Sequence, residues 1–229
     1  DRIGLPVVIR PSYVLGGRAM EVVHQITDLD RYMRDAVVVS GTNPVLIDRF
    51  LNNAIEVDVD AVSQNGAIVR IAICEHLENA GVHSGDATHL LPPLRLTSQQ
   101  QTTMHSIVSQ LASELNISGP FNTQFLVKGD WVGLIETNLR ASRSFPFISK
   151  TYDTSYIDLA TDAMLGIAVE ESTDSLKYLK LPYHAVKAAK FSFNRLPGAD
   201  PQLRIEMAST GEVACYGQTA ASAFVLALE

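Results

Sequence analysis

The stretch Phe121-Asn-Thr-Gln-Phe-Leu-Val127, Lys128-Gly129-Asp130, Trp131-Val-Gly-Leu-Ile-Glu-Thr-Asn138, followed by Leu139-Arg140, decides the reading of this chain. Both outer segments alternate with period two, and Lys128-Gly129-Asp130 reads as the tight turn of a hairpin. Glu136 and Asn138, two apart on a strand, share a face. Register decides whether Gln124 joins them. A three-residue loop, Gly129 to Trp131, places Gln124 opposite Glu136, whereas a two-residue loop puts the pair on opposite faces. The sequence therefore predicts the odd loop, or a bulge. Gln124, Glu136 and Asn138 together offer one carboxylate and two amide oxygens, the kind of set magnesium takes alongside phosphate. The pattern is that of a magnesium-nucleotide site.

Outward from this hairpin, Thr97 and Gln100 predict a capping box, and Met104, Ile107, Val108, Leu111, Ala112 and Leu115 then step through a helix until Gly119. Ile55 to Val62 and Ala67 to Glu75 alternate around Gln64-Asn65-Gly66, where Asn-Gly signals a second hairpin. Pro6 to Arg10 and Pro44 to Phe50 read as strands. Pro11 to Met20 is a loop leading to a helix, for which Thr27-Asp-Leu-Asp30 resembles a capping box and Leu29, Tyr32, Met33 and Ala36 supply the apolar stripe. Pro146 to Tyr152 and Tyr156 to Leu165 read as short helices ending near Gly166. Beyond Lys177 the expectation is a strand over Ala185 to Phe193, a turn at Leu196-Pro197-Gly198 and a short segment from Glu206 to Cys215. A boundary near 170–180 separates residues 1–170 from a tail, 171–229, expected to pack beside the main body.

At 229 residues and 24.9 kDa the chain can bury a real core, as one large or two small domains. Apolar residues are 46% and charged residues 19%, which excludes disorder, and no apolar run reaches the roughly 18 residues of a membrane-spanning helix. A net charge of -7 without a basic stripe argues against a nucleic-acid partner. Cys74 and Cys215 lack CxxC spacing, so a reduced, intracellular, zinc-free protein is expected. The chain opens at Asp1-Arg-Ile-Gly with no initiator methionine, signal or transit pattern, and is expected to be a piece of a longer polypeptide.

Several loops carry chemistry of their own. Arg10-Pro-Ser-Tyr-Val-Leu-Gly16-Gly17-Arg18 can fold backbone N–H groups over a triphosphate with Arg10 supplying charge, or form a plain turn. Glu56, Asp58 and Asp60 share one strand face while Ile55, Val57 and Val59 fill the other. A solvated acidic face accounts for them. The alternative is that Glu56 accepts hydrogen bonds from a ribose while Asp48-Arg49-Phe50-Leu51 runs past an adenine. Gly81-Val82-His83-Ser84-Gly85-Asp86 is a polar, glycine-bracketed loop directly after a strand, where nucleotide contacts gather. His83 reads there as a hydrogen-bonding loop residue, since no serine-acid arrangement accompanies it. His76 has no second histidine at ligand spacing, which disfavours zinc. Arg140 and Arg143 follow the metal strand at once and suit an anionic acceptor at its lip, with surface salt bridging as the alternative.

Four blocks in order, Arg10 to Met20, Glu56-Val-Asp-Val-Asp-Ala61, Glu75-His-Leu-Glu-Asn-Ala-Gly-Val-His-Ser-Gly-Asp86 and Ile135-Glu-Thr-Asn-Leu-Arg-Ala-Ser-Arg-Ser-Phe-Pro-Phe147, resemble the large chain of carbamoyl-phosphate synthetase. The likeness runs end to end. It is similar to the second of that chain's two homologous halves, and Asn138-Leu-Arg to the eukaryotic branch. The resemblance implies an α+β ATP-grasp fold. It also implies that Arg10, Arg49, Leu51, Glu56, Gly81, Val82, His83, Ser84, Gln124 and Glu136 contact ATP. Gln124, Glu136 and Asn138 would bind magnesium or manganese, with potassium near Glu56, His76 and Glu136. Arg140 and Arg143 would face carbamate, beside Asn138.

The implied reaction joins bicarbonate, ammonia and two ATP, and this half would phosphorylate carbamate to carbamoyl phosphate. The implied partners are the first synthetase half and a glutamine-hydrolysing domain or subunit within an oligomeric parent, with no nucleic acid and no membrane. Pyrimidine synthesis and arginine or urea synthesis both remain open, as do glutamine and free ammonia as nitrogen donors, and the cytoplasm is expected with the mitochondrion as the alternative. The fold is expected to be partial. An ATP-grasp unit closes on nucleotide between two α+β subdomains, and this chain would begin after the preceding one. Ser209-Thr-Gly-Glu-Val-Ala214 matches the segment that precedes an allosteric domain, so the isolated piece is expected to turn over poorly. The rivals are another ATP-grasp carboxylate ligase, such as a biotin-dependent carboxylase, and a nucleotide-binding piece without turnover.

Overall fold

The computed structural model describes residues 3–11, 20–169, 181–191, 209 and 211–229, and two antiparallel sheets organise them. The Gly16-Gly17 pair and the turn at Leu196-Pro197-Gly198 lie outside the described residues.

The smaller sheet has the order β2-β1-β3, built from β1 (Val7–Pro11), β2 (Glu21–Val23) and β3 (Val45–Arg49). Helix α1 (Ile26–Ser40) lays Leu29, Tyr32, Met33 and Ala36 on Val7, Ile9 and Val23. The apolar stripe read from the sequence is therefore the buried one, but the cap is not where Thr27 suggested. Gln25 is the N-cap, in extended conformation and without a side-chain cap bond. Packing fixes this helix, and Asp28 in its first turn adds a favourable charge at the N-terminal end of the dipole. Strand β2 went unseen because three residues are too few to show a period.

The larger sheet has the order β10-β9-β6-β5-β4-β7-β8. Its strands are β4 (Ile55–Gln64), β5 (Ala67–Asn79), β6 (His89–Leu91), β7 (Gly119–Lys128), β8 (Trp131–Asn138), β9 (His184–Lys190) and β10 (Gly211–Gly217). Between β4 and β5, Asn65 (φ 51°) and Gly66 (φ 81°) both adopt the left-handed conformation that a two-residue hairpin turn requires. Helix α2 (Ser98–Glu114) starts at the expected capping box: Gln100 N donates to Thr97 Oγ1 (3.2 Å) and Thr97 N to Gln100 Oε1 (2.7 Å).

Alternation along β4 sorts its residues into two environments. Val57, Val59 and Ala61 join Ile71, Ile73, Phe121 and Phe125 beneath Met104, Val108 and Ala112 of α2. Full burial of each large side chain there contributes roughly 1.5–3 kcal/mol. The opposite face carries α3 (Phe145–Thr151) and α4 (Tyr156–Leu165), whose Phe145, Ile148, Tyr156 and Ala160 pack on Val62, Val69, Ala72 and Cys74. Tyr156 Oη donates to the Ile71 carbonyl at 3.1 Å. Helix α5 (Ala220–Leu228) covers β9 with Ala223 and Ala227 against Val186 and Ala188. Strands β9 and β10 extend the large sheet at one end. β8 forms its other edge, where the Trp131 indole lies so close over Gly133 that a Cβ there would stand 1.9 Å from the ring.

Glu56, Asp58 and Asp60 share the second face of β4, and they are buried, at 8%, 2% and 0% exposure. The solvated acidic face allowed by the sequence is thus corrected. Alternation places the three carboxylates together, and neighbouring polar groups close over them: the Gly81 N–H on Glu56, His76 on Asp58 and Asn122 on Asp60.

Candidate functional site

The hairpin of β7 and β8 closes by a two-residue turn, Lys128 pairing with Trp131. By itself this turn would put Gln124 and Glu136 on opposite faces. A bulge corrects the register: Phe125 pairs with Leu134, Ile135 is left over, and Gln124 then stands opposite Glu136 and Asn122 opposite Asn138. Of the two devices the sequence allowed, the structure uses the bulge. Asn138 Nδ2 donates to Glu136 Oε1 at 3.0 Å, which leaves the Asn138 carbonyl oxygen for another partner.

These side chains form the floor of a cleft of about 1550 Å³ between the two sheets, larger than the roughly 300–1,000 Å³ that suffices for one small ligand. The residues expected to contact nucleotide, divalent metal and acceptor line it: Arg10, Arg49 and Leu51 from the small sheet and the segment after it, Glu56 from β4, Gly81, Val82, His83 and Ser84 from the glycine-bracketed loop, Gln124, Glu136 and Asn138 from the hairpin, and Arg140 and Arg143 beyond it. Arg10 spans the gap, with Nη1 3.4 Å from Asp48 Oδ2 and Nη2 3.8 Å from Glu136 Oε2. Arg49 Nε donates to the Ile3 carbonyl at 3.1 Å. Arg143 Nε lies 3.3 Å from Glu212 Oε1, and the fully buried Lys187 places Nζ 3.5 Å from the same oxygen.

Glu56 Oε2 accepts the Gly81 N–H at 3.2 Å, so this carboxylate tethers the start of the loop. Burial raises its pKa, and the charges of Asp58 and Glu136 add to that while His76 and the Gly81 bond oppose it. His83 turns its ring onto its own loop, Nδ1 accepting from Gly85 N at 3.0 Å, as a loop-shaping residue does. Burial, with Arg143 and Lys187 nearby, lowers its pKa and favours the neutral ring, against Asp86 and Asp58.

Beneath the floor lies a cluster that sequence reasoning missed. His76 Nε2 donates to Asp58 Oδ2 at 3.1 Å, and His89 stacks on His76 with centroids 4.4 Å apart and its Nε2 3.5 Å from the same oxygen. Burial pushes the Asp58 carboxyl up, but His76, His89 and the Gln124 amide outweigh it and hold the group well below the usual carboxylate range. Burial likewise opposes charge on His76, yet the bond and charge of Asp58, with Glu56, raise its pKa. His89 is held far below its usual value by burial, then by Lys187 and His76. Its neutral ring donates from Nε2 to the Ser84 carbonyl (2.9 Å), while Nδ1 faces Ser144 Oγ (3.1 Å). The second histidine that spacing did not supply to His76 thus arrives from β6. The Asp58, His76 and His89 atoms lie within 4.8 Å of one another, but the rings are only 21° from parallel. Their nitrogens point side by side, and that of His89 already serves Ser84, so the group is a hydrogen-bonded cluster rather than a zinc centre.

Of the potassium trio, Glu56 and Glu136 line the cleft, whereas His76 sits below it on Asp58. Asp60 is also in the lower layer. Asn122 Nδ2 donates to its Oδ1 at 2.9 Å, and burial followed by the charge of Asp58 pushes its pKa up to about 7, against Ser142, Asn122 and Lys187. Alternation along Glu56-Asp-Asp60 was the one signal for this layer. His89, in a strand of three residues, had none. Cys74 and Cys215 are free, and among the described residues no helix is long and apolar enough to cross a membrane.

The donor set of Gln124, Glu136 and Asn138 is all oxygen and low in charge, which fits magnesium and not a soft metal. Likeness to known proteins agrees with the geometry. Residues 1–174 match the family described as "Carbamoyl-phosphate synthase L chain, ATP binding domain". The "Multifunctional protein pyr1-3" of Dictyostelium discoideum is 47% identical over 228 residues, covering 100% of this chain and 10% of that one. The "Carbamoyl-phosphate synthase [ammonia], mitochondrial" of Aquarana catesbeiana is 48% identical over 231 residues, 99% of this chain and 15% of that one. The chain thus spans between a tenth and a sixth of the length of these relatives. Among solved structures, a biotin carboxylase-β,γ-ATP complex from Campylobacter jejuni superimposes with a TM-score of 0.76 at 17% identity, over 98% of this chain and 57% of that one, a likeness of fold. On the family match and these relatives, the chain belongs to the carbamoyl-phosphate synthase L chain ATP-binding domain family, and its fold is ATP-grasp.

Proposed function

We propose that this chain is the unit that phosphorylates carbamate in a carbamoyl-phosphate synthase, and that it lies in the second of two homologous halves. The observation that carries the proposal is the bulged hairpin, which brings Gln124, Glu136 and Asn138 to one face under Arg10. In this reading Arg49, Leu51 and the 81–84 loop hold the nucleoside end of ATP, with Glu56 on the ribose. Gln124, Glu136 and Asn138 hold magnesium or manganese, and Glu56 and Glu136, near His76, hold potassium. A divalent ion bound there supplies charge neutralisation for the triphosphate. Arg10 adds positive charge on the phosphate side. Arg140 and Arg143 orient the anionic acceptor, and the loop excludes water from a labile substrate. A carbamate oxygen attacks the γ-phosphorus in line, the bond to the β,γ-bridging oxygen breaks, and ADP leaves with that electron pair. No covalent enzyme intermediate is required.

The parent protein would combine bicarbonate with ammonia, taken free or released from glutamine by a partner domain or subunit, and would spend two ATP. Residues 1–170 would form the partial ATP-grasp domain and 171–229 the segment leading toward an allosteric region. We place the oligomeric parent in the cytoplasm, with the mitochondrion as the alternative, and in pyrimidine or in arginine and urea synthesis. ATP formation from carbamoyl phosphate and MgADP by the full-length protein is the direct assay. Glu136→Gln should reduce it at least about 100-fold, as loss of a major electrostatic contribution does. Unchanged turnover would leave a nucleotide-binding piece without chemistry, and biotin carboxylation in its place would make the parent a carboxylase.

A further inference from the structure

We infer that Asp58 is a positioning residue that orients the Gln124 amide, keeping its NH2 inward and its oxygen toward the metal. The inference rests on the proposed metal role of Gln124 and adds to it the group that sets that side chain's polarity. Asp58 and Gln124 are cross-strand partners on β4 and β7, and both line the cleft. An amide can present either end to a cation site, and only its oxygen is a ligand. A carboxylate behind the amide settles the choice, because it accepts hydrogen bonds and donates none.

Asp58 is built for that task. It is 2% exposed, and His76 and His89 both approach Oδ2, at 3.1 and 3.5 Å, which fixes the rotation of the carboxylate. Oδ1 is buried with no hydrogen-bond partner among the described residues. Gln124 stands directly across from Asp58 on β7, so its amide is the donor placed to reach that oxygen. Groups that orient a metal ligand from behind typically change metal affinity 10–100-fold when altered.

Replacement by asparagine should reverse the clamp. The single oxygen of the new amide would turn to the His76 N–H, so its NH2 would face Gln124 and draw the Gln124 oxygen inward. With Gln124→Glu both ends of residue 124 are oxygen, and orientation no longer matters.

The test is Mn2+ binding by the full-length protein in the presence of ADP, followed by the EPR signal of free Mn2+. The Mn2+ class lost in Glu136→Gln defines this site. Asp58→Asn should weaken that class about 10–100-fold in the Gln124 background and leave it within about threefold in the Gln124→Glu background. Equal weakening in both backgrounds would mean a general structural role and overturns the inference, as does no weakening in the Gln124 background. Were no Mn2+ class lost in Glu136→Gln, the site assignment itself would fail and this inference with it.

Discussion

Glu136 stands opposite Gln124 although the two-residue turn, continued regularly, would have paired Gln124 with Ile135. One unpaired residue in β8 therefore decides that Glu136 and Asn138 share a face with Gln124. Glu136 and Asn138 then follow each other at the strand period, and Arg10 meets Glu136 from across the cleft.

Two single-residue deletions separate this register from the mere presence of the three proposed ligands. Removing Ile135 makes the ladder regular and still pairs Gln124 with Glu136, so Mn2+-ADP affinity should stay within about tenfold of the parent. Removing Thr137 sends Asn138 to the opposite face, and affinity should fall roughly 10–100-fold. Calorimetric titration of both variants checks the contrast, and the reverse order of effects would refute the bulge's role.

Gly66 tests the turn between β4 and β5. Its φ of 81° suits glycine, and a Cβ there would stand 3.0 Å from Ser113 Cα and 3.2 Å from the Ala112 carbonyl oxygen, both backbone atoms of or beside α2. Gly66→Ala should cost about 1–3 kcal/mol through the dihedral and the contact together. Urea unfolding measures it, and a loss below about 0.5 kcal/mol would show that the helix yields freely.

Asp60 predicts a pH dependence. Its folded pKa is raised to about 7, while in the unfolded chain the carboxyl titrates near 4. Between these values the folded state binds more protons than the unfolded one, so stability falls as pH rises from about 4 to about 7 and levels off above that. Asp60→Asn removes this contribution, so the variant should gain on the wild type by up to ~1.4 kcal/mol per pH unit across that window. Unfolding curves of both proteins at about pH 4.5, 6 and 8 decide it, and parallel profiles would exclude a neutral Asp60.

Much of this was legible before any coordinates. Asn65-Gly66 and the Thr97-Gln100 box announce a turn and a helix start through local chemistry, and both stand as read. The residues expected at the site come from the hairpin's alternation and the four sequence blocks, and all but His76 line one cleft. The layer beneath was not legible. Asp58 on β4 meets His76 and Gln124 from its two neighbouring strands and His89 from the short β6, and no spacing along the chain encodes that meeting. Burial of Asp58 and Asp60 was equally hidden, since an alternating strand looks the same whether its polar face meets water or protein. Thr27 misled because a capping signal carries about 1 kcal/mol, less than the packing of Leu29, Tyr32, Met33 and Ala36 that sets where α1 begins.

Strand β8 is the rim of the seven-stranded sheet, and a straight rim invites a strand from another molecule. Ile135 interrupts its even spacing, and the Trp131 indole rests across Gly133. The bulge that aligns Gln124 with Glu136 thus also discourages self-stacking into fibres, and a variant with Ile135 deleted would lose part of its resistance to aggregation.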